Sequence, residues 1–106
     1  INPGANALIG SLWRNLYWMS KDVSDMGFAS YCAKKAMDKL KIAIDGNEFF
    51  DADSKTTTAL SLAAMMINNG ERKEVKHYIT IAAESPNERI RNRALQIMAR
   101  MEQKNR

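Results

Sequence analysis

The sequence predicts an all-α protein: a single domain of five helices, arranged as a bundle or a short helical array, with the third helix buried at its centre. Three observations carry that expectation. Glycine and proline are scarce, at five and two, methionine numbers seven, and 45% of the 106 residues are apolar. Ala, Leu, Met, Lys and Arg dominate, and all are strong helix formers. Apolar residues recur at three- and four-residue spacing in one segment after another, the period of a helix with one face in a core. The breaks between these segments are short and carry stop and start signals: Gly46, Asn69-Gly70 and Ser85-Pro86. The length suits one compact domain and is too short for two, and no shift in composition marks a boundary.

The first helix is expected from about Pro3 to Ser20. Asn2 is its cap and Pro3 its first residue, where a missing N–H costs nothing. Leu8, Ile9, Leu12, Trp13, Leu16, Tyr17 and Met19 make a broad apolar stripe. The second helix is expected from about Ser24 to Asp45, with Met26, Ala29, Ala33, Ala36, Met37, Leu40 and Ile44 on one face. Three of these are alanine, so a neighbouring helix can come close. Gly46 takes the position after the helix that glycine favours.

Residues 46–53 read as a loop whose Phe49 and Phe50 plug back into the core. Asp53 or Ser54 then caps a third helix running to about Asn69. Ala59, Leu60, Leu62, Ala63, Ala64, Met65, Met66 and Ile67 surround most of its circumference, leaving a narrow polar strip near Thr57, Ser61 and Asn68. A helix apolar nearly all round is a buried one. The fourth helix is expected over Glu71 to Glu84, with Val75, Tyr78, Ile79 and Ala82 facing the core. Ser85-Pro86-Asn87-Glu88 reads as a capping box, with Ser85 as the cap and Pro86 as the first residue. The fifth helix runs on to about Gln103, with a stripe of Ile90, Ala94, Ile97, Met98 and Met101. Short connections make the last three helices antiparallel neighbours.

From Glu71 to Glu102 the order is helix, tight Ser85-Pro86-Asn87 turn, and a helix opening Glu88-Arg89-Ile90-Arg91-Asn92-Arg93-Ala94-Leu95. This segment resembles one unit of a HEAT- or armadillo-type helical repeat, which implies a packed helical pair and a HEAT-like array. The resemblance covers about a third of the chain. No second copy stands at the ~40-residue spacing of such repeats, so no functional residue is carried over from it.

Composition narrows the function. The net charge of +4 permits an anionic partner without requiring one. One cysteine, Cys32, rules out an internal disulfide and points to a reducing, cytoplasmic setting. Residues 1–20 carry only Arg14 as a charge but hold too many polar residues and glycines for a bilayer span. His77 is the only histidine, which argues against a histidine metal site or a triad. Asp45, Glu48, Asp51 and Asp53 crowd one loop, but the sixth residue from Asp45 is Phe50 and not the glycine a calcium loop needs; these acids are expected to cap helices. Lys34 and Lys35 follow Cys32 closely, the kind of setting a reactive thiol uses, but the expected role of Cys32 is a partly buried small residue. No glycine loop for phosphates and no dinucleotide fingerprint is present. No cofactor, metal or small-molecule substrate is expected.

Two surfaces remain. Trp13, Tyr17 and Trp18 cannot all face one interior, since Trp18 lies about 140° from Trp13 around the helix, so they are the candidate protein-contact residues. Lys34, Lys35, Lys39 and Lys41 on the second helix, and Arg89, Arg93, Arg100 and Lys104 on the fifth, are the candidate contacts to a nucleic acid or other anion. The expected function is a non-enzymatic interaction module that binds another protein, or itself as a homodimer, through the aromatic first helix. The alternative is a nucleic-acid-binding accessory protein that uses the basic strips.

Overall fold

A computed structural model describes residues 4–49 and 51–104, the side chain of residue 104 excepted. Among them are five helices and no strand: α1 (Ala5–Asp22), α2 (Met26–Asp45), α3 (Ala52–Asn68), α4 (Val75–Ala83) and α5 (Glu88–Lys104). The all-α class is therefore as expected. The chain forms two compact units, Ile1–Phe49 with α1 and α2, and Phe50–Arg106 with α3, α4 and α5. Among the described residues, no helix is long and apolar enough to cross a membrane.

The first unit is a helical hairpin. From α2 it buries Ala29, Cys32, Ala33, Ala36, Met37, Leu40, Ala43 and Ile44, a stripe rich in alanine. From α1 it buries only Gly10, Tyr17 and Ser20. Such a sparse set works because the two backbones run close. A Cβ built on Gly10 would stand 2.7 Å from Leu40 Cδ2 and 3.1 Å from the Leu40 backbone nitrogen. Only glycine leaves room there. Buried Ser20 satisfies its hydroxyl within its own helix, donating to the Leu16 carbonyl at 2.7 Å. Met26, expected in the core, is exposed; it is the first residue of α2.

Helix ends account for most of the boundary differences. The expected cap by Asn2 and Pro3 lies outside the described residues, as does Phe50; Phe49 is half-buried. Gly4 stands at the start of α1 without a side-chain cap. Glu48 supplies one from the far end of the unit, accepting from the Asn6 N–H at 3.2 Å and from Asn6 Nδ2 at 2.8 Å. A carboxylate there also meets the positive end of the helix dipole. Asp25 caps α2, accepting from the Phe28 N–H at 3.1 Å. Asp51, rather than Asp53 or Ser54, caps α3, accepting from the Ser54 N–H at 2.6 Å.

Three helices stop in one way. Ser24 (φ 62), Asn47 (φ 51) and Gly70 (φ 74) turn left-handed. The next N–H then reaches back to a carbonyl five residues earlier: Asp25 to Ser20, Glu48 to Ala43 and Glu71 to Met66, each at 2.9 Å. Gly46 follows α2 as expected but has φ −86. Asn47 makes the left-handed turn instead, since asparagine tolerates that conformation.

In the second unit, no residue of α3 from Thr58 to Ile67 is fully exposed, in keeping with its near-continuous apolar circumference. Its buried residues are Thr56, Ala59, Leu62, Ala63, Met65 and Met66. Val75, Tyr78, Ile79 and Ala82 of α4 are all buried, as are Ala94 and Ile97 of α5. α4 is shorter than expected because Glu71-Arg72-Lys73-Glu74 offers nothing to bury before Val75. The Ser85-Pro86-Asn87-Glu88 segment is not a capping box. Asn87 caps α5, its Oδ1 accepting from the N–H of Arg89 at 3.0 Å and of Ile90 at 3.4 Å. Ser85 lies too early for that role and is turned inward, 2% exposed. Its hydroxyl bonds the Thr56 hydroxyl of α3 at 2.7 Å and accepts from the Asn87 N–H at 3.0 Å. The Arg91 guanidinium donates to the Ser85 carbonyl at 3.0 Å.

Candidate functional site

α1 turns its large apolar side chains to solvent. At about 100° per residue, Leu8, Met19, Leu12, Val23, Leu16 and Ile9 follow one another within an arc of about 100°. All six are exposed, from 38% for Leu16 to 75% for Val23. The arc carries no charge, because Arg14, Lys21 and Asp22 project from other sides of the helix by the same count. The docked face, with Ser20, Trp13, Tyr17 and Gly10, lies next to it around the helix. The physical reason is steric. α2 presents alanines and a tightly seated Leu40, and a leucine cannot enter where even a Cβ collides. The hairpin therefore closes on small residues, and the leucine face is left outward.

This arrangement changes the candidate contact residues. Tyr17 is only 3% exposed and belongs to the interior of the hairpin, so it is not available to a partner. Its ring meets Trp18 edge-on at 4.9 Å. Trp18 is exposed, and the Lys21 ammonium stands 5.3 Å from its ring and 5.4 Å from that of Tyr17. Trp13 is half-buried and meets Tyr31 of α2 edge-on at 5.7 Å. Tyr31 in turn stacks on Phe28 at 6.3 Å, and both are exposed. The aromatic run Trp13–Tyr31–Phe28 thus flanks the leucine arc on its Ile9 and Leu16 side. Periodicity alone shows that the leucines share a face; it does not show which face docks. The missed signal is Gly10 in mid-helix, which marks the close approach and hence the buried side.

The basic strips differ from each other. By helical count Lys34 and Lys41 lie on one flank of α2 and Lys35 and Lys39 on the other, roughly 100° or more apart. The Lys35 ammonium sits 5.5 Å over the Tyr31 ring, and Lys39 and Lys41 are half-buried. These four lysines do not make one patch. On α5, Arg89, Arg93 and Arg100 fall within about 40° of one another and are exposed. The side chain of Lys104 lies outside the described set. Arg89 and Arg93 line a shallow groove with Leu60, Ile90, Asn92 and Gln96.

The reactive groups are placed apart. Cys32 is 0% exposed within the hairpin, more deeply buried than expected. His77 is exposed on α4, its ring 4.7 Å from that of Tyr78. Glu48 and Asp51 both serve helix N-termini, as expected of the acidic loop. The Asp51 carboxyl is held below its ordinary pKa of 3.8, first by the Ser54 backbone N–H and next by the Ser54 hydroxyl, against desolvation, with the Asp53 N–H contributing least. No group of three or more His, Cys, Asp or Glu among the described residues is placed to hold a metal ion. No protein-family model matches the chain, and neither a curated protein nor a solved structure is significantly similar to it.

Proposed function

We propose that this chain is a non-enzymatic interaction module whose working surface is the outward apolar face of α1. One observation carries the reading: six large apolar side chains lie side by side on one uncharged arc, all exposed. Soluble proteins rarely leave such a contiguous patch open unless something docks on it. The binding surface is therefore the leucine arc with the Trp13–Tyr31–Phe28 flank, rather than the aromatic trio of α1. A closed-off Cys32 and a His77 out on a helix flank support the non-enzymatic part of the proposal.

Radical footprinting read by mass spectrometry tests it, with methionines as reporters of access. In dilute monomeric protein, Met19 is expected to oxidise readily while Met65 and Met66 stay protected, and association is expected to shield Met19. Met19 as protected as Met65 in the monomer would mean that the chain covers its own stripe, and the proposal would fall.

A second reading rests on the α5 groove. Two exposed guanidinium groups one turn apart, over Leu60 and Ile90 with two amide side chains beside them, suit a phosphate or carboxylate. Arg89→Ala with Arg93→Ala should weaken binding to a nucleic acid and flatten its salt dependence by about two units of slope; unchanged binding to both RNA and DNA would remove this reading.

A further inference from the structure

We propose that Asn69 is a site of spontaneous deamidation, and that its conversion loosens the turn between α3 and α4. The chemistry is intramolecular. The backbone nitrogen of the next residue attacks the side-chain Cγ. An N–C bond forms as the Cγ–Nδ2 bond breaks, and ammonia leaves with the proton of the attacking nitrogen. Water then opens the five-membered imide at either carbonyl, to aspartate or isoaspartate. The sum is one water taken up and one ammonia released, with no oxidant or reductant.

The attack needs an unhindered nitrogen after the asparagine. Asn69-Gly70 is the one Asn-Gly pair in the sequence. Gly70 is exposed, and a Cβ built on it would meet nothing within 4 Å. Its N–H donates to the Ile67 carbonyl at 3.3 Å, longer than an ordinary N–H···O bond, so the nucleophile is loosely held. The other described asparagines precede larger residues. Asn15, Asn68 and Asn92 lie within helices, and the side chains of Asn6 and Asn87 are engaged at helix N-termini.

The native turn sets the timing. Asn69 closes α3 with ψ 8, which turns the Gly70 nitrogen away from the side chain, and Nδ2 donates to the Met65 carbonyl at 2.8 Å. Attack waits on a rotation of the Asn69–Gly70 peptide that frees Gly70 from Ile67 and the Glu71 N–H from the Met66 carbonyl. Openings of this kind are cheap at a helix end. Conversion then prevents full closure. A carboxylate cannot donate to Met65, and its charge meets the negative end of the α3 dipole. Isoaspartate also adds a carbon to the main chain, which displaces Glu71 from Met66.

Peptide mapping by mass spectrometry tests the site, on the full chain aged in warm, mildly alkaline buffer. The peptide holding Asn69 and Gly70 is expected to turn acidic before any other asparaginyl peptide. Asn69→Gln, whose imide would be a six-membered ring that closes slowly, is expected to abolish that change. Amide hydrogen exchange read by NMR tests the consequence. In Asn69→Asp the amides of residues 69 and 71 should exchange on the order of 10-fold faster than in the parent after correction for intrinsic rates, from the lost bond and the opposed charge, while those of α2 keep their rates. Conversion at another asparagine first overturns the site, as does a folded chain still intact at Asn69 over the time its urea-unfolded form takes to convert. Unchanged exchange at residues 69 and 71 overturns the loosening.

Discussion

Gly10 decides which face of α1 is buried. The helix holds four large aliphatic residues by its middle, yet it docks through a glycine because Leu40 leaves no space for a Cβ. Gly10→Ala would remove a poor helix former, a gain of about 1 kcal/mol, and introduce a clash in a packed core, a loss of about 1–3 kcal/mol. A net loss of up to about 2 kcal/mol is expected in urea unfolding, and a stabilised variant would show that the helices are not pressed together there. Asp51 makes a pH-dependent contribution of known sign. Its folded pKa is lowered by the Ser54 N–H, so the cap's stabilisation is fully present above the ordinary value and is lost as pH falls through the folded one. Asp51→Asn keeps a capping acceptor and removes the titration, so the variant's acid unfolding curve should lose that component. Equal acid sensitivity in the two proteins would contradict it.

At the scale of elements, the helices were legible and their ends were only partly so. Periodicity located all five, and the core faces of α3, α4 and α5 were read correctly because each has one apolar side or is apolar throughout. In α1 the spacing marks a broad apolar stripe but not the side that docks. An apolar stripe signals burial against something, and in α1 the chain's own hairpin leaves that stripe uncovered. The end of α2 was placed correctly, although Asn47 rather than Gly46 turns left-handed. The start of α5 shows how a local signal can be diverted. Ser85 has the sequence of a cap but is drawn to Thr56, so that it ties the α4–α5 turn to α3. Ser85→Ala removes the tie to Thr56, whose hydroxyl keeps the Ala52 carbonyl of its own helix at 2.7 Å, and leaves the Asn87 N–H of the turn short of a bond. A loss of about 1 kcal/mol is expected, measurable by denaturant titration; no loss would mean that the Ser85 hydroxyl is dispensable.

For the molecule as a whole, composition was enough for the fold class, and charge was not enough for the site. The formal charge is +4; the candidate lysines of α2 lie on two flanks, whereas Arg89, Arg93 and Arg100 of α5 share one strip. The exposed leucine face became visible once the hairpin's steric fit was known, because exposure is a property of packing rather than of spacing. The candidate trio of Trp13, Tyr17 and Trp18 lies on the same helix as the exposed leucines; burial of Tyr17 and exposure of the leucines move the proposed surface around it.

The most direct test of an open α1 face is the unfolding free energy of Leu12→Ser with Met19→Ser, measured by urea titration at a protein concentration where the parent is monomeric. An uncovered face predicts a change within about 0.5 kcal/mol per site, the range of ordinary surface substitutions. A loss of about 2–5 kcal/mol per site, the range of large side chains removed from a core, would show that the chain buries this face itself and would contradict the account.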